Sequence, residues 1–588
     1  MQVKRPFHLL WQGGLIAVAL FLLLILQWPM LSTAEPVRSL GAFERISVGT
    51  NGLESDGDSY HPYASADGRY VGFISFSTNL VPETITPDMG CLPTFICVDV
   101  FLRDRVANTT VRVSNDLDGN QGNNKSGEPQ LSSDGSLVHF TSFAGDLIPD
   151  DTNENWPFYI SDGFLWSRLN GSMRRVTTKQ GGAQIPVSST SYMPPIGTMS
   201  YFQTHAPEVV PGIYPDNVEV YRYDFATQNV THVPIAPNNG RMNNAMVNLH
   251  SDNSGRLLVF TSWSTNLIPG DYNDVEDIFI HDTQTGITKL VSRTPTGQYG
   301  DSDSGAPMIS PNGTHIVFRS RASNLVSGDT NGVNDVFMYD VATELVTRVS
   351  VSANGAQGNL GSKDPAVCND GEYISFGSDA TNIVAGDTNN TRDIFIRHIE
   401  TGWTEVLTRR ADGVWHDNKG HKSRFIDDCS GIMFASDSDI LMAEDNNGVR
   451  DLFYRPILRS ADILASQQLA RGAASPSDTI TYTVILRNTG GEATNVNYSA
   501  MLPANTTFGH VDAPVTYSAG SQQFSYNGSI PADSSITLTF SVVVDSSLSG
   551  SAIISLTGQV ADSRQTVPFE SVTIINGQSF YLPIMARE

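Results

Sequence analysis

A hydrophobic phrase of six residues recurs along this 588-residue chain as YVGFIS, LVHFTS, MSYFQT, LLVFTS, HIVFRS, YISFGS and, shortened, IMFAS. Its phenylalanine falls at Phe73, Phe140, Phe202, Phe260, Phe318, Phe376 and Phe434, and the last four intervals are all 58 residues. A second aromatic keeps step at Phe101, Phe164, Tyr221, Phe279, Phe337, Phe395 and Phe453. A third phrase ends at Ser114, Thr177, Pro234, Ser292, Ser350 and Thr408. Three markers on one period require a repeated supersecondary unit that buries its faces against its neighbours.

Each unit contains apolar runs rich in Val, Ile, Phe and Tyr between Gly/Asn/Asp/Ser turns, and none carries a 3.6-residue stripe, so the elements are strands. SADG (65–68), SSDG (132–135), SPNG (310–313) and CNDG (368–371) precede the first phrase, and their dipeptides predict two-residue hairpins with positive φ. Four strands per period is a propeller blade. Seven first phrases are followed by only six third phrases, and FERIS (43–47) supplies the missing one from the other end of the chain. The expected fold is all-β, a seven-bladed β-propeller over 43–457 closed by an N-terminal strand, which leaves no sheet edge open. Six blades and a separate hairpin is the alternative. Unit three runs PPIGTMSYF in place of an Asp-Gly turn, so an irregular blade is expected there.

The stretches TNLIPGDYNDVEDIFIHDTQTGITKLVS (265–292) and SNLVSGDTNGVNDVFMYDVATELVTRVS (323–350) resemble the WD-like propeller repeats of TolB-type and other exported bacterial proteins. That resemblance implies a propeller scaffold without a single activity. After Ile457 the composition turns to Ser, Thr and Val. Residues 461–575 predict about seven short strands of an Ig-like β-sandwich. DTITYTVILRNTGGEATNVNYSAMLPANTTF (478–508) resembles the Ig-like repeat called domain of unknown function eleven, with Ala500 where that family usually has Asp. It implies a spacer or adhesion module at a bacterial surface. Residues 576–588 form a tail.

Lys4 and Arg5, the apolar run Leu15 to Leu26 and Ser32-Thr33-Ala34 predict a signal peptide over 1–34, with a retained anchor as the alternative. The expected location is secreted or cell-surface. With 36 basic and 61 acidic residues the net charge is −25, which repels nucleic-acid phosphates. Four cysteines in an exported chain suggest disulfides: Cys91 with Cys97 across a short loop, while Cys368 and Cys429 either bridge or stay reduced in the core.

Four units carry D-x-N-x-x-x-D: Asp271/Asn273/Asp277, Asp329/Asn331/Asp335, Asp387/Asn389/Asp393 and Asp445/Asn447/Asp451. Oxygens at positions one, three and seven are part of a calcium loop, so calcium is one reading. The other is structural. The last Asp persists as Asp99, Asp162 and, as Glu, Glu219 in units without the Asp-x-Asn spacing, where it would accept hydrogen bonds at a strand entrance.

The histidines form no H-x-x-H or H-E-x-x-H, and G-x-S-x-G and phosphate-cradling loops are absent. His416, Asp417 and His421 form the densest group and read as a solvated loop, and Arg103, Arg319, Arg321 and Arg397 are candidates for a central pocket. No catalytic residue is assigned. The expected function is a monomeric surface binding or scaffold protein. Its propeller face, rich in loops such as DLDGNQGNNKSGEP (116–129), takes a glycan or protein partner, and its sandwich is a spacer. The alternatives are a glycoside hydrolase or polysaccharide lyase using the funnel, and a calcium-stabilised structural protein. An Arg/Tyr/His group or several carboxylates converging on the axis would favour the enzyme.

Overall fold

The structure, a computed structural model, describes residues 39–575 apart from short stretches, the longest being 83–97 and 153–159. The signal-peptide residues, Cys91, Cys97, Asp417 and the tail lie outside the described residues. The chain divides into a unit spanning Ser39–Leu458 and a second built on the residues after Leu458.

The first unit consists of seven antiparallel sheets, six folded from one repeat each and the seventh completed by N-terminal strands. Blade 1 is typical: Ser59–Ala64, Tyr70–Ser75, Asp99–Asp104 and Thr109–Arg112 pair in chain order. The two aromatic markers are direct cross-strand partners in every blade, from Phe73 opposite Phe101 to Phe434 opposite Phe453. Their rings stack with centroids 5.5–5.8 Å apart. All are fully buried. Each such ring contributes about 1.5–3 kcal/mol by burial, and this explains the aromatic at both positions of every repeat. The core lies between blades: one cluster joins Val259 and Ile278 of blade 4 to Ile316 and Phe318 of blade 5.

The third marker closes each blade. Its hydroxyl donates to the carboxylate that opens the third strand: Ser114 to Asp99 (2.6 Å), Ser292 to Asp277 (2.7 Å), Ser350 to Asp335 (2.6 Å), Thr408 to Asp393 (2.9 Å). Blade 3 has Pro234 at this position and no hydroxyl, and there His232 reaches Glu219 at 3.0 Å. In blade 7 the hydroxyl is Ser47, 2.5 Å from Asp451 and 404 residues away.

Ring closure is therefore made as the repeat count required. Glu44–Arg45 pairs with Tyr454 and Phe453, and a further strand, Ser39–Leu40, pairs with Leu458 and Ile457 just upstream of the expected start. Arg105 of blade 1 holds Glu44 (Nε to Oε1, 3.0 Å) and lies 3.8 Å from the Tyr454 ring centroid. The Ser59 amide donates to Arg450 O at 2.8 Å, the same bond that Ser304 makes to Glu276 O between blades 5 and 4.

One expectation is corrected, and another is met at a different place in its blade. The Asp-Gly hairpins are four-residue loops: Gly68 N–H donates to Ser65 O and Ser65 N–H to Tyr70 O. Only the glycine has positive φ (66°), because Asp67 is occupied as an acceptor for the Ser65 hydroxyl and the Arg69 amide. Blade 3 is irregular in its first strand, only Thr190–Tyr192 long, while its turn is ordinary, since Gly197 takes the same left-handed place (φ 66°).

The second unit is a two-sheet sandwich. One sheet orders its strands Ile463–Leu469, Thr479–Asn488, Ser535–Val544 and Thr506–Val511; the other runs Ala473–Ala474, Thr566–Ile575, Ala552–Ala561, Ala493–Met501, Gln523–Ile530 and Thr516–Ser518. Thr479–Asn488 alternates in burial, and Tyr482, Tyr498, Phe524 and Phe540 fill the space between the sheets. Ala500 is part of that core, where an Asp would be a buried unpaired charge. Ten strand segments replace the seven expected, because short edge pieces flank the longer strands.

Candidate functional site

The first strand of each blade is innermost, and in most blades it is interrupted. Its register slips between Tyr60 and Tyr63 in blade 1, and at the equivalent step in blades 2, 4, 5 and 6. The residue at the bulge takes φ of 50–53° although none is glycine: His61, Glu128, Asn248, Ala306 and Asp364. Each non-glycine residue in that region costs about 1 kcal/mol or more. A bulge re-aims the side chains around it, and here it does so at one level of the wheel. His61 and Glu128 of adjacent blades meet at 3.4 Å. Glu128 is held at about 2, first by its hydrogen bond to His61 and then by the nearby Lys422 and Arg424 charges.

Two residues further along each strand, Tyr63, Tyr192, His250, Met308, Ala366 and Arg424 surround an axial pocket. Its cavity is small, about 60 Å³, and opens to solvent. Tyr192 and His250 meet edge to face at 5.4 Å. The Arg424 guanidinium is 5.7 Å from the Tyr63 ring centroid and 2.6 Å, at Nη1, from Met308 Sδ. Burial, then the Arg424 and Lys422 charges, push His250 down to about 3, so its imidazole is neutral at neutral pH. Burial raises the Tyr192 phenol. Among the described residues lining the pocket, Arg424 is the one ionised group and none is a carboxylate.

Pro195, Asn253 and Pro311 place the pocket at the hairpin-turn end of the axis. The turns there are tied blade to blade: Ala66 N–H to Ser133 O (2.8 Å), Ser133 N–H to Pro195 O (2.7 Å), Asn253 N–H to Pro311 O (2.8 Å). Between blades 6 and 7 the tie is covalent, a Cys368–Cys429 disulfide with Cα atoms 5.5 Å apart. The 116–129 loop belongs to the opposite face, where the first strands begin and the second strands end.

The acidic motifs lie on that opposite face and are satisfied only in part from within, since Asp387 Oδ1, Asp393 Oδ2 and Asp445 Oδ1 are buried without a hydrogen-bond donor among the described residues. Asn273, Asn331 and Asn447 each donate to the last Asp of their own motif at 2.8–2.9 Å. Several blades also place a chain-borne cation at the carboxylates. Arg348 is 3.3 Å from Asp329 and 3.4 Å from Asp335; Arg45 is 3.2 Å from Asp445 and 3.6 Å from Asp451. Arg175 does the same in blade 2, at 3.3 Å from Asp151. Blades 4 and 6 have Leu290 and Val406 where these arginines stand. In blade 6 the fully buried His416 stands 2.7 Å from Asp393, beside Asp387 and Asn389. His416 is thus no solvated loop residue, and His421 is engaged with Asp437 at 2.8 Å. Among the described residues blade 4 has neither arginine nor histidine there: burial pushes Asp277 up to about 6 and raises Asp271 as well. In blade 7 burial and the Asp451 charge hold Asp445 at about 7 despite Arg45. Among the described residues, no group of three or more His, Cys, Asp or Glu is arranged to hold a metal ion.

The arginine candidates do not form the pocket. Arg103 is buried against Thr110 and Asn108, and Arg397 is bonded to Val351 O, Gly402 O and Thr404, both on third strands. Arg319 and Arg321 lie at the far end of a second strand. Arg424, His250 and the tyrosines were not singled out in the sequence; their signal is a column of differing residues inside an otherwise constant repeat.

No protein-family profile and no curated protein matches the chain. Among solved structures it is similar to a TolB-type protein of Agrobacterium tumefaciens, with 14% identity over 59% of this chain and 94% of that one and a TM-score of 0.31. It is also similar to AvmM, described as catalysing macrocyclization in alchivemycin A biosynthesis, with 11% identity over 20% of this chain and 92% of that one and a TM-score of 0.15.

Proposed function

We propose that the chain is an exported surface binding protein whose propeller takes a glycan in the axial pocket, with the sandwich as its spacer. One observation carries this reading. At the register-equivalent positions Tyr63, Gln130, Tyr192, His250, Met308, Ala366 and Arg424 the seven blades use six residue types, whereas the buried aromatic pairs repeat. A position without a shared structural duty, bordering a concave space with aromatic walls and a few polar groups, is where a ligand site is built. The bulges add support, since strain of this kind gathers at functional sites. A glycan array probed with the full chain tests it: captured glycans should be lost, at least tenfold in affinity, from a Tyr63→Ala/His250→Ala variant. Undiminished capture would move the site to the acidic-loop face.

A second reading, a polysaccharide lyase, has in Arg424 a cation that could steady an enolate-like charge, but His250, pushed down to about 3, is a weak base for taking the proton, so this reading is the lesser one. Glycosidase chemistry is less well supported, because its two carboxyls are not among the described residues lining the pocket. Ultraviolet absorbance from an unsaturated product, abolished in His250→Ala, would establish the lyase.

A further inference from the structure

The pocket's charge is opposite to that of the protein. In a chain with 61 acidic and 36 basic residues, the axial pocket is lined by an arginine and, among the described residues, by no Asp or Glu. Several arginines of the propeller meet carboxylates, Arg69 with Asp104, Arg256 with Asp282 and Arg450 with Asp437, while Arg103, Arg397 and Arg455 are bonded to neutral oxygens. Arg424 instead contacts a thioether and faces the Tyr63 ring. Lys422, two residues away and exposed, adds a second positive charge to the same region of the axis, and Glu128, paired with His61, adds a negative one. A guanidinium held without a carboxylate is a bidentate fork waiting for a planar anion. One fork matches a monoanion; a phosphate dianion calls for more donors than this wall offers. Tyr63 and Tyr192 both line the pocket and add aromatic surface that can pack against a sugar ring.

We propose that the pocket selects an acidic sugar, its carboxylate on the Arg424 guanidinium and its ring against Tyr63 and Tyr192. This rests on the binding function proposed above and names its ligand class. The test is an array of uronate- and sialate-bearing oligosaccharides beside the neutral and the sulfated forms of the same backbones, probed with the full chain and followed by calorimetry. Carboxylated ligands should bind at least tenfold tighter than their neutral counterparts. Arg424→Met, which keeps an unbranched chain against Met308, should remove that preference at an unchanged melting temperature, and Arg424→Lys should restore only part of it. Neutral glycans binding equally well, in wild type and Arg424→Met alike, would overturn the acidic-sugar inference and leave the binding function standing. A preference for the sulfated forms would overturn the carboxylate assignment, and no capture of any glycan would overturn both readings.

Discussion

The rim and the axis of the propeller obey different rules. At the rim, every blade repeats one device: a carboxylate at the entrance of the third strand, a hydroxyl or imidazole that donates to it, and in several blades a cation beside it. At the axis, the first strands of five blades keep the same bulged backbone and change the side chains. The rim repeats because buried carboxylates must be satisfied wherever they occur. The axis varies because its side chains belong to no repeated core, although Tyr192, Gln130 and Ala366 are themselves buried.

The sharpest way to break this contrast is to remove the rim device where it comes from afar. Deleting residues 39–47 takes away two strands and the Ser47 hydroxyl, and should cost more than any point substitution, with loss of a single cooperative transition by calorimetry. The disulfide is the exception at the axial end: replacing Cys368 and Cys429 by Ala should cost about 3 kcal/mol, read from denaturant midpoints. Arg348→Met leaves Asp329 and Asp335 without their cation and should cost about 2 kcal/mol at pH 7 without changing ligand capture. An axial substitution such as Tyr63→Phe should stay within about 0.5 kcal/mol.

Blade 4 sharpens the contrast, since its carboxylates lack the cation. Asp277 has a folded pKa (about 6) above the ordinary value of 3.8. Its ionisation therefore opposes folding: the cost is absent below about pH 4, grows as the pH rises through 6 and is full above it. Asp271→Asn should accordingly stabilise by about 1 kcal/mol at pH 7, and the gain should vanish at pH 4. Wild-type and variant curves that stay parallel across that range would refute it. The smallest effect concerns calcium. With arginine or histidine at the carboxylates of blades 2, 5, 6 and 7, chelation should move the melting temperature by less than about 1 °C, and a larger drop that disappears in Asp271→Asn would locate an ion in blade 4.

What could be read from the sequence follows the same division. The aromatic partners, the blade count and the closing strand were all legible, because packing and pairing impose them at every turn of the period. The bulges were not: His61, Glu128 and Asp364 carry no glycine to announce a left-handed backbone. His416 was misread because an Asp/Gly-rich loop looks solvated; its burial follows from Val406, a substitution visible only once the arginines of other blades are seen to matter. The axial residues come one from each blade, so aligning the repeats averages them away.

Closure by Ser39–Leu40 and Glu44–Arg45 also sets a timetable. The earliest-made residues of the wheel wait for partners synthesised 404 positions later, which at translation speed is roughly 20–80 s. Until then the growing array has an unpaired flank at both ends, exposed to any neighbouring chain with the same repeat. A helper that shields that flank during synthesis would raise yield without touching the finished molecule.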